Sequence, residues 1–144
     1  MKPTTILRNH MNSGKLIVAP GVYSGMSAKL AAQQGFNVLY ASGGAIARDT
    51  GYPDIGLLTM TEVLVRIAEI VSASGLPVIA DADTGFGNAI NVQRTIQEYE
   101  RIGVAGLHIE DQTFPKRCGH LDDKSLVPID EMRQKIKVAR ESAK

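Results

Sequence analysis

The sequence predicts an α/β fold of the (β/α)8 TIM-barrel type, of which its 144 residues supply about the first four βα units. Three observations predict this fold class. Short apolar runs alternate with segments of helical spacing, polar residues follow the apolar runs, and a complete barrel needs roughly 250 residues. No linker, low-complexity tract or charge run divides the chain. We therefore predict one partial, truncated barrel domain over residues 1–144.

Four apolar runs are predicted to be buried strands, because each is short, bounded by turn residues and rich in β-branched or small side chains. They are residues 16–18, 38–40, 77–80 and 106–109. With helices between them, such strands pair in parallel through right-handed crossovers, so both faces of the sheet are covered.

Three segments between the strands have helical spacing and end at a glycine. They are residues 24–34, 59–74 and 91–102, closed by Gly35, Gly75 and Gly103. Thr59 and Glu62 have the spacing of a capping box at the start of the second helix.

A fourth helix is predicted to begin near Pro128, which is suited to a first helical turn. The apolar side chains that its spacing places on one side are Ile129, Met132, Ile136 and Ala139. The predicted order of elements is thus β-α-β-α-β-α-β-α.

A doubly wound sheet and a barrel both fit this order, and the placement of polar residues favours the barrel. Residues 40–44, 81–87 and 108–118 all fall at or just beyond the C-terminal ends of predicted strands. The C-terminal face of a barrel is where active sites lie. The longer irregular segments, 44–58 and 111–127, have the length of functional loops.

Composition excludes several classes of function. Sixteen Lys and Arg against fifteen Asp and Glu give a formal charge of +1, so no basic field favours nucleic acid or an anionic membrane. The apolar runs fall far short of the ~20 residues that span a bilayer, and the N-terminus lacks a secretion pattern. The single cysteine, Cys118, fits a reducing compartment. We expect a cytoplasmic protein.

Three carboxylates at two strand ends predict a Mg²⁺ site. Asp81 and Asp83 follow one strand and Glu110 follows the next. Hard divalent cations prefer carboxylates and water as ligands. The alternative is that Asp81 caps a helix or pairs with an arginine.

Ser42, Gly43 and Gly44 follow the second strand and predict a turn that can aim backbone N–H groups at a substrate carboxylate. A tight βα turn without a ligand is the alternative interpretation. Neither nucleotide-binding glycine pattern is present, so nucleotide cofactors are not expected.

The loop at residues 116–120 predicts a reactive thiol. Lys116, Arg117 and His120 surround Cys118, and neighbouring positive charge favours the thiolate. Gly119 would let the loop close over a substrate, so that the sulfur acts as a general acid or base. An exposed basic loop with an idle cysteine is the alternative. His108, in contrast, is more typical of a satisfied core histidine, although its nearness to Glu110 leaves a site role open.

Five motifs, in this order and spacing, resemble the isocitrate lyase and phosphoenolpyruvate mutase superfamily over residues 16–143. They are Tyr-Ala-Ser-Gly-Gly at 40–44, Gly-Tyr-Pro-Asp at 51–54, Asp-Ala-Asp-Thr-Gly-Phe-Gly at 81–87, His-Ile-Glu-Asp at 108–111 and Lys-Arg-Cys-Gly-His at 116–120. The last motif resembles the short lyase branch, which contains 2-methylisocitrate lyases, 2,3-dimethylmalate lyases and carboxyphosphonoenolpyruvate mutase-like proteins.

The resemblance implies a role for each matching residue. Asp81 would bind Mg²⁺ directly, with Mn²⁺ as an alternative ion, and the residues that would hold its water ligands are Asp54, Asp83 and Glu110. The residues that would grip the substrate carboxylate are Ser42, Gly43 and Gly44.

The remaining implied roles concern proton transfer and the lid. Tyr40 would help to take the hydroxyl proton, and Cys118 would give a proton to the carbanion. Lys116, Arg117 and His120 would set the charge of the thiol and order the lid loop, and Arg117 and Gly119 would also bind the substrate.

The function implied is a Mg²⁺-dependent carbon–carbon lyase that cleaves a small branched 2-hydroxy di- or tricarboxylate to pyruvate or a related oxo acid. Two alternatives stay open: mutase or oxaloacetate decarboxylase chemistry at the same metal site, and a non-catalytic remnant that binds a carboxylate or a full-length paralogue. The family's barrel continues through four further βα units and forms homo-oligomers. We therefore expect either an inactive fragment or a half-barrel that self-associates.

Overall fold

Four parallel strands form one sheet, and their order in the sheet is their order in the chain. The structure is a computed structural model that describes residues 1–144. The strands are β1 (Gly21–Val22), β2 (Leu39–Ala41), β3 (Val78–Asp81) and β4 (Gly106–His108). The predicted parallel α/β architecture is confirmed.

Six helices cover or flank this sheet. They are α1 (Pro3–Asn12), α2 (Gly25–Gln33), α3 (Gly43–Asp49), α4 (Met60–Ser74), α5 (Ala89–Arg101) and α6 (Ile129–Ser142). Helix α4 begins with the predicted capping box: the Thr59 hydroxyl accepts from the Glu62 N–H, and the Glu62 carboxylate accepts from the Thr59 N–H. Helix α4 ends at Gly75, which has a left-handed φ of 64°. None of the six helices is both long and apolar enough to cross a membrane.

The first predicted strand was placed wrongly. Residues 16–20 have no strand structure, β1 comes at Gly21–Val22, and Leu16 is 90% exposed. Ile17 packs instead near Leu7, a buried residue of α1. The sequence analysis assigned no element before residue 16, although Pro3 at the first turn of α1 is a helix-start signal.

A second unpredicted helix, α3, follows β2 directly. The sequence predicted a tight glycine turn there and an irregular segment from residue 44. Ser42 is the N-cap of α3, and its side chain accepts a hydrogen bond from the Ala45 N–H. The glycine pair therefore forms the first turn of a helix.

The face of α6 that packs against the molecule matches the predicted one only in part, since Met132 and Ala139 are half-buried. Ile129 and Ile136 are 69% and 56% exposed, whereas Lys135 is only 3% exposed. The Lys135 ammonium donates to the Thr84 carbonyl at 3.2 Å and lies 3.6 Å from the Glu131 carboxylate. Since neighbouring helix positions are rotated by about 100°, burying residue 135 turns residue 136 toward solvent. The one buried side chain of α6 is therefore a lysine and not an apolar residue.

Side chains along each strand point alternately to the two faces of the sheet, so that the apolar core and the polar site lie on opposite faces. Leu39, Val78 and Ala80 are fully buried in a cluster with apolar residues of α2, α4 and α5. Their neighbours along the strands point to the opposite face. On that face the register pairs Tyr40 with Ile79, and Asp81 with His108. Polar side chains thus collect at the C-terminal edge of one face of the sheet.

We predict that Lys135→Ala lowers the free energy of unfolding by about 1–3 kcal/mol, because it removes a charged donor from the buried Thr84 carbonyl. Denaturant unfolding followed by circular dichroism measures the change. Lys137→Ala is the matched control, since Lys137 is exposed on the same helix. Equal stability of both variants would contradict the anchoring role of Lys135.

Candidate functional site

Four carboxylates meet at the C-terminal edge of the sheet. Asp81 is the last residue of β3, and Asp83 lies in the turn that follows it. The Glu110 N–H, just beyond β4, donates to the Asp83 carbonyl at 2.8 Å. Asp54 comes from the segment after α3 and shares a cation with Asp83 and Glu110. The structure therefore brings together all the acids that the sequence predicts as metal ligands.

Lys116 is the shared cation. Its side chain is 2% exposed, and its ammonium lies 2.7 Å from Asp54 and 3.9 Å from both Asp83 and Glu110. Burial lowers the pKa of Lys116, but the hydrogen bond to Asp54 and the nearby carboxylate charges outweigh it and leave the pKa raised. Lys116 therefore stays charged and holds its loop against the acids. The sequence predicted Lys116 as a neighbour of the thiol; in the structure its contacts are with the carboxylates.

Asp81 is the most constrained acid. One carboxylate oxygen accepts from the Gly43 N–H at 3.1 Å, and the other accepts from the Asp83 N–H at 2.9 Å and lies 3.3 Å from His108 Nε2. Burial pushes the pKa of Asp81 upward, but the hydrogen bonds from His108 and the Asp83 amide outweigh burial and lower it. Asp81 is thus held as an oriented carboxylate. Tyr99, fully buried, donates its hydroxyl to the Asp81 carbonyl at 3.2 Å and steadies the end of the strand.

Asp83 shows that the charges of the cluster are not balanced. Burial raises the pKa of Asp83 to about 6, Lys116 offsets only part of the rise, and the charges of Asp81 and Glu110 add to it. Asp83 also has a φ of 51°, a left-handed conformation that non-glycine residues rarely adopt. Four acids with one buried ammonium leave net negative charge in a partly buried site.

This donor set fits a hard divalent cation. One ligand atom each from Asp81, His108 and Glu110 all lie within 4.8 Å of one another. Carboxylate oxygens with room for water suit Mg²⁺ or Mn²⁺. The geometry adds His108 to the predicted acids and places Asp54 and Asp83 beside Lys116.

His108 also links the acids to Tyr40. The Tyr40 hydroxyl lies 3.3 Å from His108 Nε2, and the two rings stack with their centroids 5.6 Å apart. Hydrogen bonding to Asp81 raises the pKa of His108. Burial and the charge of Asp81 raise the pKa of Tyr40, so its hydroxyl is protonated at neutral pH. Tyr40 is therefore placed to exchange a proton with His108.

Glycines 43 and 44 let the acids approach the backbone closely. A Cβ on Gly43 would lie 2.7 Å from Asp81 Oδ2, and one on Gly44 would lie 2.7 Å from Asp54 Oδ2. The Gly43 N–H already donates to Asp81, and Ser42 caps the Ala45 N–H. Of the three residues predicted to grip a substrate carboxylate, Gly44 keeps an N–H without a partner within the chain.

The side chains of the loop at 116–120 lie in different environments. Cys118 is buried, and its sulfur accepts from Arg48 Nη2 at 3.7 Å. The Arg117 guanidinium is half-exposed and lies 4.0 Å from Asp123, and both Gly119 and His120 are exposed. The cation in contact with the sulfur is therefore Arg48, which the sequence prediction did not consider.

Gln112 holds the start of this loop and was also missed. Its buried side-chain amide donates to Glu110 Oε2 at 2.8 Å and to the Arg117 carbonyl at 2.9 Å, and accepts from the Arg117 N–H at 3.0 Å. One glutamine thus joins an acid of the cluster to the loop that carries the thiol. His108, next to a predicted ligand on a strand end, carried a usable sequence signal, whereas Gln112 and Arg48 carried none.

A family model described as phosphoenolpyruvate phosphomutase matches residues 7–144. A 2,3-dimethylmalate lyase of Eubacterium barkeri is 49% identical over 140 residues, covering 96% of this chain and 48% of the relative. A 2-methylisocitrate lyase of Aeropyrum pernix is 47% identical over 135 residues, covering 94% of this chain and 44% of the relative. The chain spans about half the length of the curated relatives that it matches.

Solved structures also match nearly all of this chain and about half of their own length. An oxaloacetate acetylhydrolase in complex with 3,3-difluorooxalacetate has a TM-score of 0.93 and 41% identity, over 98% of this chain and 49% of that one. A crystal structure of 2,3-dimethylmalate lyase, described as a PEP mutase/isocitrate lyase superfamily member, has a TM-score of 0.92 and 44% identity, over 99% of this chain and 48% of that one. A phosphonopyruvate hydrolase in complex with oxalate and Mg²⁺ has a TM-score of 0.90 and 37% identity, over 100% of this chain and 49% of that one.

We predict that Lys116→Met lowers the free energy of unfolding by about 3 kcal/mol or more in chelator-containing buffer at pH 7, because buried carboxylates lose their cation. Denaturant melts of the variant and of Lys15→Met, an exposed lysine outside the site, supply the comparison. A Lys116→Met chain as stable as Lys15→Met would show that Lys116 does not hold the cluster together.

Proposed function

The chain belongs to the phosphoenolpyruvate phosphomutase family, within the PEP mutase/isocitrate lyase superfamily, and on that premise we propose that it carries the metal and thiol half of a Mg²⁺-dependent carbon–carbon lyase. The proposed substrate is a small branched 2-hydroxy di- or tricarboxylate, such as 2-methylisocitrate or 2,3-dimethylmalate. The names of the two relatives support this choice. Because the chain spans about half of their length, the activity proposed is that of a complete barrel.

One observation carries the proposal: a single loop reaches both the acidic cluster and a buried thiol. Lys116 contacts three carboxylates, while Cys118, two residues later, contacts Arg48. Arg48 in turn donates to the Gly44 carbonyl, beside Asp54. The thiol and the acids therefore lie on the same side of the sheet, around Gly43 and Gly44.

The acids would hold the ion between them. Asp81 is the oriented ligand, and the side chains placed to hold the ion or its waters are Asp54, Asp83 and Glu110. When bound, Mg²⁺ supplies a positive charge that orients the substrate's oxygens and offsets negative charge that develops during cleavage. Mn²⁺ has the same ligand preferences and is the alternative ion.

The proposed cleavage balances with two proton movements. The substrate hydroxyl loses its proton and becomes the oxo group of pyruvate or a related acid. The electron pair of the broken carbon–carbon bond stays with the other fragment, and the Cys118 S–H gives that carbon a proton. The products are one oxo acid and one carboxylate.

Tyr40 and His108 are the proposed route for the hydroxyl proton. Tyr40 is neutral and 3.3 Å from His108 Nε2, and that nitrogen is 3.3 Å from Asp81. When Nε2 is unprotonated it can take the Tyr40 proton while Tyr40 takes the proton of the substrate, and the Asp81 carboxylate then stabilises the imidazolium. Residues 117, 119 and 120 are the exposed part of the loop and are proposed to meet the substrate as the lid closes.

A second candidate is phosphonopyruvate or oxaloacetate chemistry at the same site. It is favoured by the structural match to phosphonopyruvate hydrolase and to oxaloacetate acetylhydrolase, with TM-scores of 0.90 and 0.93. A buried thiol held by an arginine supports the lyase instead, because C–C cleavage leaves a carbanion that needs an acid. The cytoplasmic location and the homo-oligomer stay predictions from the sequence.

We predict Mg²⁺-dependent pyruvate release from 2,3-dimethylmalate or 2-methylisocitrate only in those size-exclusion fractions in which copies of the chain associate, since the proposed activity needs a complete barrel. Cys118→Ser should lower turnover about 100-fold or more, since general acid catalysis contributes roughly 10²–10⁴. It should still bind pyruvate with Mg²⁺, because Cys118 is not among the proposed ligands. Ser125→Ala, an exposed hydroxyl in the same loop region, is the control. Full turnover by Cys118→Ser, or release of product from oxaloacetate alone, would reject the lyase.

A further inference from the structure

Arg48 is a basic side chain at the site with no acidic partner. Its guanidinium donates to the Gly44 carbonyl at 3.1 Å and to the Cys118 sulfur at 3.7 Å. Neither interaction neutralises its charge. Arg48 is exposed to solvent, and no carboxylate lies within ion-pair distance of it, although Asp54 and Arg48 Nη1 both lie beside Gly44. Other basic groups nearby are paired: Lys116 with Asp54, and Arg66 with Asp49.

The Arg48 guanidinium can therefore bind an anion. A guanidinium carries five N–H donors and binds carboxylates in a bidentate fork. Two of its donors are accounted for within the chain. The other cations predicted beside the thiol are placed elsewhere, because Lys116 is buried among acids and Arg117 lies near Asp123.

The position of Arg48 matches one particular group of the substrate proposed above, and the inference rests on that proposed function. The oxo-acid end of the substrate belongs at the metal ligands. The fragment that receives a proton from Cys118 must lie beside the sulfur and carries its own carboxylate. A cation in contact with the sulfur is therefore next to that carboxylate.

We propose that Arg48 binds the carboxylate of the fragment that Cys118 protonates, and so determines the specificity of the site for substrates with a second carboxylate. Its guanidinium would contact that carboxylate from the side of α3, while the loop carries the thiol. This role differs from orienting the thiol, which would act on turnover through Cys118 alone.

Equilibrium binding tests the proposal without turnover. Calorimetry in Mg²⁺ measures the affinity of the chain for succinate, a probe for the protonated fragment, and for pyruvate, a probe for the oxo-acid end. Arg48→Gln should weaken succinate binding about tenfold or more, the usual effect of losing a hydrogen bond to a charged group, and change pyruvate binding less than about twofold. Arg48→Lys, which keeps the charge but loses the fork, should fall between.

Two controls separate the alternatives. Arg133→Gln removes an exposed arginine whose ion pair lies within α6 and should change neither affinity. In a Cys118→Ala background the effect of Arg48→Gln on succinate should persist, whereas an arginine that acts only through the sulfur would lose its effect there. Unchanged succinate binding in Arg48→Gln, an equal loss for both ligands, or no succinate binding by the wild-type chain would overturn the proposal. Succinate binding through Arg48 with no pyruvate release from any fraction in which copies of the chain associate would reject the proposed lyase function and leave this inference standing.

Discussion

A buried ammonium that faces three carboxylates is the interaction on which the site depends. Lys116 ties Asp54, from the segment after α3, to Asp83 and Glu110, from the ends of two strands. Burying any one of these charged side chains alone would cost free energy, and the opposite charges beside it offset that cost. Since Lys116 lies on a loop, the same ion pairs also draw that loop over the edge of the sheet and bring Cys118 to Arg48.

The backbone geometry lets several charged side chains lie close together. Parallel strands end at one edge, which collects Asp81 and His108 in register. Gly43 and Gly44 let two carboxylates approach the first turn of α3 at distances that a Cβ would block. Lys135 steadies the other side of the acidic turn by its bond to the Thr84 carbonyl. Packing in the apolar core fixes the positions of the strands, and a few polar contacts fix the positions of the loops.

The sequence predicted the parts of this structure that follow from periodicity. Alternating strands and helices imply a parallel sheet, and a parallel sheet implies that Asp81 and Glu110 meet at one edge. Contacts between distant loops have no such signal: neither the pairing of Lys116 with acids nor the reach of Arg48 to Cys118 is visible in spacing. On α6 the apolar pattern placed Ile129 and Ile136 inside, but the structure exposes both and buries Lys135, whose ammonium donates to the Thr84 carbonyl. Ile17 belongs to no strand, and its apolar side chain packs against a small buried cluster of Leu7, Val38 and Ala105.

The central claim is that these acids form a divalent cation site with Asp81 as its oriented ligand. The most direct test is titration of the chain with Mn²⁺ followed by electron paramagnetic resonance. We expect about one bound ion per chain, released by excess Mg²⁺. It should be absent in Asp81→Asn and retained in Asp49→Asn, because Asp49 pairs with Arg66 outside the site. Mn²⁺ binding of equal strength in Asp81→Asn, or none in the wild-type chain, would contradict it.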